Sequence, residues 1–164
     1  MSSRVGNPGV LAGVGIAAGV VQVCAGVAMY LAGVYFAPWS MLVSIVVLIV
    51  CILAGTRWYA ATCLSGRATY GQALVAGIVI SITTGVVYAV YNLVSVTFFY
   101  PHFLDQVALA RIAQMDAREL PHESFEVLRG NLTAMTIAIP NLVRLSVIGS
   151  LLSSLSALLQ RTRA

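Results

Sequence analysis

The sequence predicts an all-α polytopic membrane protein, with four transmembrane helices and an amphipathic helical hairpin between the third and fourth. Three observations predict it. Hydrophobic side chains make up 60% of the 164 residues and charged ones 9%, against about 25% charged in a soluble domain; so little charge belongs in lipid. Residues 5–56 carry no charge at all. Eight of the fourteen charged side chains fall within residues 100–129, the only long polar passage between apolar runs. A single membrane domain over residues 1–164 is expected.

The elements follow in order. The first apolar run is broken at Ala37-Pro38-Trp39-Ser40, where proline disfavours continued helix and aromatics suit an interface. This divides it into spans at 9–36 and 39–59. Since about 20 residues cross a bilayer, the first span is expected to tilt or project. It is not read as a signal peptide: Arg4 alone precedes it, and the run far exceeds an h-region of about 7–15 residues. Arg57 and Arg67 bracket a short loop containing Ser65-Gly66, and a third span covers 70–98. An extramembrane cap occupies 100–130. Proline in a first turn starts its first helix at Tyr100-Pro101-His102. Leu104, Ala108, Ile112 and Met115 share one face of that helix, with Asp105, Gln106, Gln114 and Arg118 around the rest. Leu120-Pro121 ends it, and a second helix presents Phe125, Leu128 and Leu132. The fourth span is placed at 140–159, followed by Arg161 and Arg163.

Charge placement orients the chain. With a cytoplasmic N-terminus, Arg4, Arg57, Arg67, Arg161 and Arg163 fall inside and Arg111, Arg118 and Arg129 outside, as basic residues near span ends prefer. Both termini are then cytoplasmic. Tyr30, Tyr35, Phe36, Trp39, Phe98, Phe99 and Tyr100 would form one interfacial belt, and Trp58, Tyr59 and Tyr70 the other. All nine basic residues are Arg, scattered near helix ends, which fits topology rather than nucleic-acid binding. The three cysteines, Cys24, Cys51 and Cys63, form no disulfide or zinc pattern.

Lipid gives no hydrophobic force between helices, so association needs close packing and polar contacts. Ala12, Gly19, Gly26 and Gly33 recur every seven residues in the first span, which also holds the pairs Gly9/Gly13 and Gly15/Gly19. Ala73, Gly77, Ser81, Gly85 and Ala89 recur every four in the third. The fourth has Ser146, Ser150 and Ser154 in one row and Gly149, Ser153 and Ala157 in the next. These rows line internal seams or a homo-oligomer face. The second span, without such a row, is expected to face lipid most.

The run Ser65-Gly-Arg-Ala-Thr-Tyr-Gly-Gln-Ala-Leu, the third span, and then Phe98-Phe-Tyr-Pro-His-Phe-Leu-Asp-Gln resemble an uncharacterised bacterial family, domain of unknown function 4199. The Ser-rich, basic end at 150–163 is similar to that family too. The resemblance implies a small integral protein of the bacterial inner membrane with paired spans, so that the charge-based orientation puts the cap on the periplasmic side. It implies no catalytic residue.

Three polar side chains within spans are candidates for function. Arg144 stands near mid-bilayer if the fourth span begins near Asn131, where a charge is costly and usually functional. If the span begins near Pro140, Arg144 lies one turn inside and can snorkel to lipid phosphate or meet a cap acid; this placement is preferred, with Asp105 or Glu123 as the cap partner. Gln22 and Asn92 serve as interhelical glue or line a solute path. His102 and His122 with Asp105, Glu123 and Glu126 contain metal-ligand types, but the second His of a zincin helix is missing, so no metal is expected. Neither a phosphate-binding Gly loop nor a nucleophile motif is present, and neither enzymatic activity nor a cofactor is expected. Asn131-Leu-Thr133 fits a glycosylation sequon of no meaning in a bacterial chain. The expected function is that of an accessory or scaffold subunit, with membrane lipids and other subunits, or further copies of itself, as partners. A small oligomeric transporter or channel is the alternative, and a lipid-organising protein the third possibility.

Overall fold

The computed structural model describes residues 8–37, 39–64, 68–99, 102–116 and 124–161. Among the described residues there are six α-helices and no strand: α1 Pro8–Leu31, α2 Ser40–Cys63, α3 Tyr70–Val94, α4 Phe103–Asp116, α5 Phe125–Asn131 and α6 Ala134–Arg161. Four stretches are long and apolar enough to cross a membrane: Pro8–Leu31, Ser40–Cys63, Tyr70–Phe98 and Ala134–Leu155. The chain is a multi-pass membrane protein. Arg4, Pro38, Ser65, Gly66, Arg67, Tyr100, Pro101, Arg118, Leu120, Pro121, His122, Glu123 and Arg163, all used in the sequence reading, lie outside the described residues.

Local chemistry sets the helix ends, and two differ from expectation. α1 stops at Leu31 rather than Phe36. Gly33 takes φ 71°, and its N–H and that of Val34 donate to the carbonyls of Tyr30 and Met29 at 3.0 Å each. That is a Schellman closure, which suits glycine because it has no Cβ to strain a positive φ. α6 begins at Ala134 rather than Pro140. The Thr136 N–H donates to the Thr133 hydroxyl at 3.2 Å, and the Thr133 N–H to the Thr136 hydroxyl at 2.8 Å. This reciprocal cap starts the helix ahead of the proline. α3 opens on a capping box in which Thr69 and Gln72 satisfy each other's N–H groups, a T-x-x-Q pattern visible in sequence. A π-helical turn, Ser95–Phe99, widens its far end.

The contacts give the helix directions. A Cβ built on Gly15 or Gly19 would meet Thr83 or Val87, so α1 and α3 run parallel. Gly77 faces Ser153, Gly149 faces Ser81, and Gly85 faces Leu142 and Ser146, which makes α3 and α6 antiparallel. Gln22 reaches Ser44 while Gly55 faces Val14, so α2 is antiparallel to α1 and therefore parallel to α6. α3 is the central helix, with the largest buried share of the four spans, and α6 has the smallest. The helix most open to lipid is therefore α6 rather than α2, because α2 turns Ser44, Leu48, Ile52, Gly55, Thr56, Tyr59 and Ala60 inward.

Two apolar layers fill the interior. Leu11, Ala18, Tyr59, Ala76 and Ile80 form one, and Leu48, Ile52, Tyr88 and Leu145 the other. Three buried hydroxyls are satisfied within their own helices: Thr56 donates to the Ile52 carbonyl, Ser81 to Gly77 and Ser153 to Gly149. Thr84 instead crosses from α3 to the Gly15 carbonyl of α1 at 3.1 Å.

α4 and α5 share a small cluster of Ala108, Leu128 and Leu132, flanked by Leu104, Val107, Ile112 and Met115. Phe125, expected on that apolar side, is exposed. The aromatics expected as a belt are split. Trp39, Trp58, Tyr70 and Phe98 are exposed and Tyr59 is buried, whereas Tyr30, Tyr35 and Phe36 gather around Phe103 with ring centroids 5.6–6.0 Å from it. That aromatic knot fastens the start of α4 to the end of α1.

Candidate functional site

Of the expected packing residues, Gly19, Gly26, Gly77, Ser81, Gly85, Gly149 and Ser153 all lie at helix contacts. A Cβ on Gly77 would come within 2.6 Å of the Ser153 Cβ, and one on Gly149 within 2.5 Å of the Ser81 Cβ. Gly19 approaches Val87, and Gly26 the Tyr88 hydroxyl at 3.3 Å. Gly33 is separate from this set: it closes α1, and a Cβ there would meet nothing within 4 Å. Its place in the seven-residue row reflects the helix stop. Gly55, which the sequence reading passed over, lets α2 pack close to Val14: a Cβ there would come within 2.7 Å of the Val14 Cγ1.

The intramembrane polar residues separate into two places. Asn92 donates to the Tyr88 carbonyl one turn back at 2.9 Å and borders a cavity of about 20 Å3 beside Phe103 and Tyr30. Arg144 lines a larger feature, a polar chamber of about 570 Å3, and Gln22 is joined to it through Ser44. It is lined by the end of α1 and the loop after it (Met29, Tyr35, Phe36, Ala37), the start of α2 (Ser40, Met41, Ser44), Tyr88 of α3, Gln114 of α4, and Asn141 and Arg144 of α6.

α2 and α6 touch where Ile52 nears Gly149, 3.5 Å from a Cβ built there. Eight residues earlier on each helix stand Ser44 and Asn141, both lining the chamber. Arg144 lies ten residues inside α6, about 15 Å along it at 1.5 Å per residue. Helical side chains lean toward their N-terminus, which carries the guanidinium up into the chamber. Beneath Ser44, Gln22 is almost wholly buried; its amide N–H donates to the Ser44 hydroxyl and carbonyl, and its Oε1 has no partner. With its oxygen occupied as acceptor, the Ser44 hydroxyl retains a free donor.

Arg144 does not pair with Asp105. That carboxylate is taken by Arg129 of α5 at 2.5 Å and by His102 at 3.5 Å, while Glu123 lies outside the described residues. Among the described residues Arg144 makes no hydrogen bond or ion pair. The hydrogen bond from Arg129 holds the Asp105 carboxyl below its ordinary range, with His102 adding to it against an opposing push from burial. A depressed carboxyl contributes stability that is complete above its unfolded value and is lost as pH falls through the folded value. The α4–α5 contact should therefore hold from neutral pH down to about pH 4 and loosen below it. Amide exchange in α5, corrected for its intrinsic pH dependence, should accelerate only in that acidic window, and Asp105→Asn should abolish the step. No three metal-ligand side chains converge among the described residues; His122 and Glu123 lie outside them.

A family model described as protein of unknown function (DUF4199) matches residues 9–162. This chain belongs to the DUF4199 family. Comparison with curated proteins and with solved structures gives no match. The DUF4199 match takes in all four spans, both cap helices and every residue lining the chamber.

Proposed function

We propose that this DUF4199 protein is a non-catalytic accessory or scaffold subunit of the bacterial inner membrane, packing against other membrane proteins. In this reading both termini are cytoplasmic, and α4 and α5 form an amphipathic hairpin along the periplasmic surface. The observation that carries it is the closed interior. Small residues join α3 to α1 and α6, and Leu48, Ile52, Tyr88 and Leu145 pack together in the core beside the chamber, which Tyr88 also lines. No Asp, Glu or His lies within the four spans, the groups that ion-coupled carriers place there. The chamber lining holds amides, hydroxyls and a guanidinium without a carboxylate, His or Cys, a set with no obvious general base.

The small oligomeric transporter remains the second reading, because Gln22, Ser44 and Arg144 form a polar group inside the bundle. One copy offers such a solute a dead end, so any path would run between copies. Extraction in mild detergent followed by native mass spectrometry tests the two. The expected result is a larger assembly with this chain at fixed stoichiometry. A lone homo-oligomer that passes solute in liposomes would replace the accessory reading with the transporter.

A further inference from the structure

We propose that the polar chamber is a phosphate-binding site, with Arg144 as the charge partner of the bound anion. The argument rests on the side chains of the chamber and stands apart from the accessory reading. The lining carries one positive charge and no negative one. A guanidinium half-buried among spanning helices is expensive unless an anion joins it, and among the described residues Arg144 has none. The surrounding groups are rich in donors. The Ser44 oxygen is already engaged by Gln22, which leaves its hydroxyl to donate; Ser40, Asn141, Gln114 and the Tyr35–Tyr88 hydroxyl pair, which share one hydrogen bond between them, add hydroxyl and amide N–H groups.

These donors come from α2, α3, α4, α6 and the loop after α1, so they approach from several sides. That arrangement suits a tetrahedral oxyanion with acceptors in every direction better than a flat carboxylate. The volume, about 570 Å3, exceeds what a bare phosphate needs and leaves room for the substituent of a phosphate ester. The shared chemistry is a phosphate group; a phospholipid headgroup and a soluble phosphate are its two sources.

The test uses the full chain in a neutral detergent and follows its thermal unfolding. Dihexanoyl phosphatidylglycerol, inorganic phosphate and acetate are titrated separately into the wild type and into Arg144→Gln, Arg144→Lys and Asn141→Leu. The expected result is saturable stabilisation of the wild type by a phosphate compound, as ligand linkage requires. Its apparent affinity should fall at least tenfold in Arg144→Gln, less in Arg144→Lys, and measurably in Asn141→Leu. Stabilisation by the phospholipid alone assigns the site to a headgroup, and stabilisation by inorganic phosphate as well assigns it to the bare anion. Acetate acting as strongly as either, no stabilisation by either, or equal affinity in wild type and variants would overturn the proposal. Should Arg144→Gln fail to fold, Asn141→Leu and Arg144→Lys carry the same comparison, because neither removes the charge.

Discussion

Gly77→Ile should destabilise the folded bundle by about 3 kcal/mol, at the upper end of what overpacking costs a close-packed interior. The new Cβ alone would press within 2.6 Å of the Ser153 Cβ and 3.3 Å of its Cα. Backbone lies directly behind the side chain, so α3 and α6 must separate to admit it. In lipid that separation is costly for a specific reason: helices there are held by van der Waals contact and interhelical polar bonds, with no water to expel. Reversible unfolding in mixed micelles measures the loss. Gly13→Ile is the matched control, since nothing lies within 4 Å of a Cβ at that position, and it should be close to neutral. A second comparison locates the clash. Gly77→Ala should be destabilising alone, and Ser153→Gly should recover part of that loss when combined with it, a coupling expected only between residues in contact. Equal effects at Gly77 and Gly13 would remove the seam from the account of stability.

The seam was legible in sequence because it is periodic. A four-residue row on α3 and its counterpart on α6 repeat the geometry of a helix face, and periodicity survives without knowledge of the partner. The same logic misread Gly33, whose position in a seven-residue row coincides with a helix stop. Spacing alone does not distinguish a glycine chosen for lack of a Cβ from one chosen for positive φ. The start of α6 was missed for another reason: Thr133 and Thr136 do the work usually given to Ser or Thr with Glu or Gln. Ion pairing was out of reach too. Asp105 had several arginines available in the polar passage and beyond, and the choice of Arg129 depends on how α5 meets α4. The chamber was least legible of all. Its walls come from five segments spread between Met29 and Arg144, and only the tertiary fold brings them together. Gln22 and Arg144 stood out as polar residues in apolar runs, whereas Ser44, the residue that links Gln22 to the chamber, looked like any serine in a membrane helix.

Phe103→Ala should release α4 from the bundle while leaving the spans intact. Phe103 is 6% exposed and meets Tyr30, Tyr35 and Phe36 with ring centroids 6.0, 5.6 and 5.8 Å away. Truncating a buried phenylalanine costs about 3–5 kcal/mol, and aromatic pairs contribute about 0.5–1.5 kcal/mol beyond the area they bury. The loss falls on one junction, because α4 and α5 hold each other through Ala108, Leu128 and Leu132 and can leave together. Amides of α4 should exchange at least about 100-fold faster, equivalent to about 2.7 kcal/mol, while those of α3 along the Gly77–Gly85 row keep their protection. Phe103→Leu, which preserves more of the volume, should give a smaller change. Phe103 does not itself line the chamber, but it backs Tyr35 and Phe36, which do, and Gln114 of α4 lines it as well. If the cap serves as the chamber's roof, the phosphate affinity should also fall in Phe103→Ala; with α4 released and affinity unchanged, the binding groups would be those of α2, α3 and α6 alone.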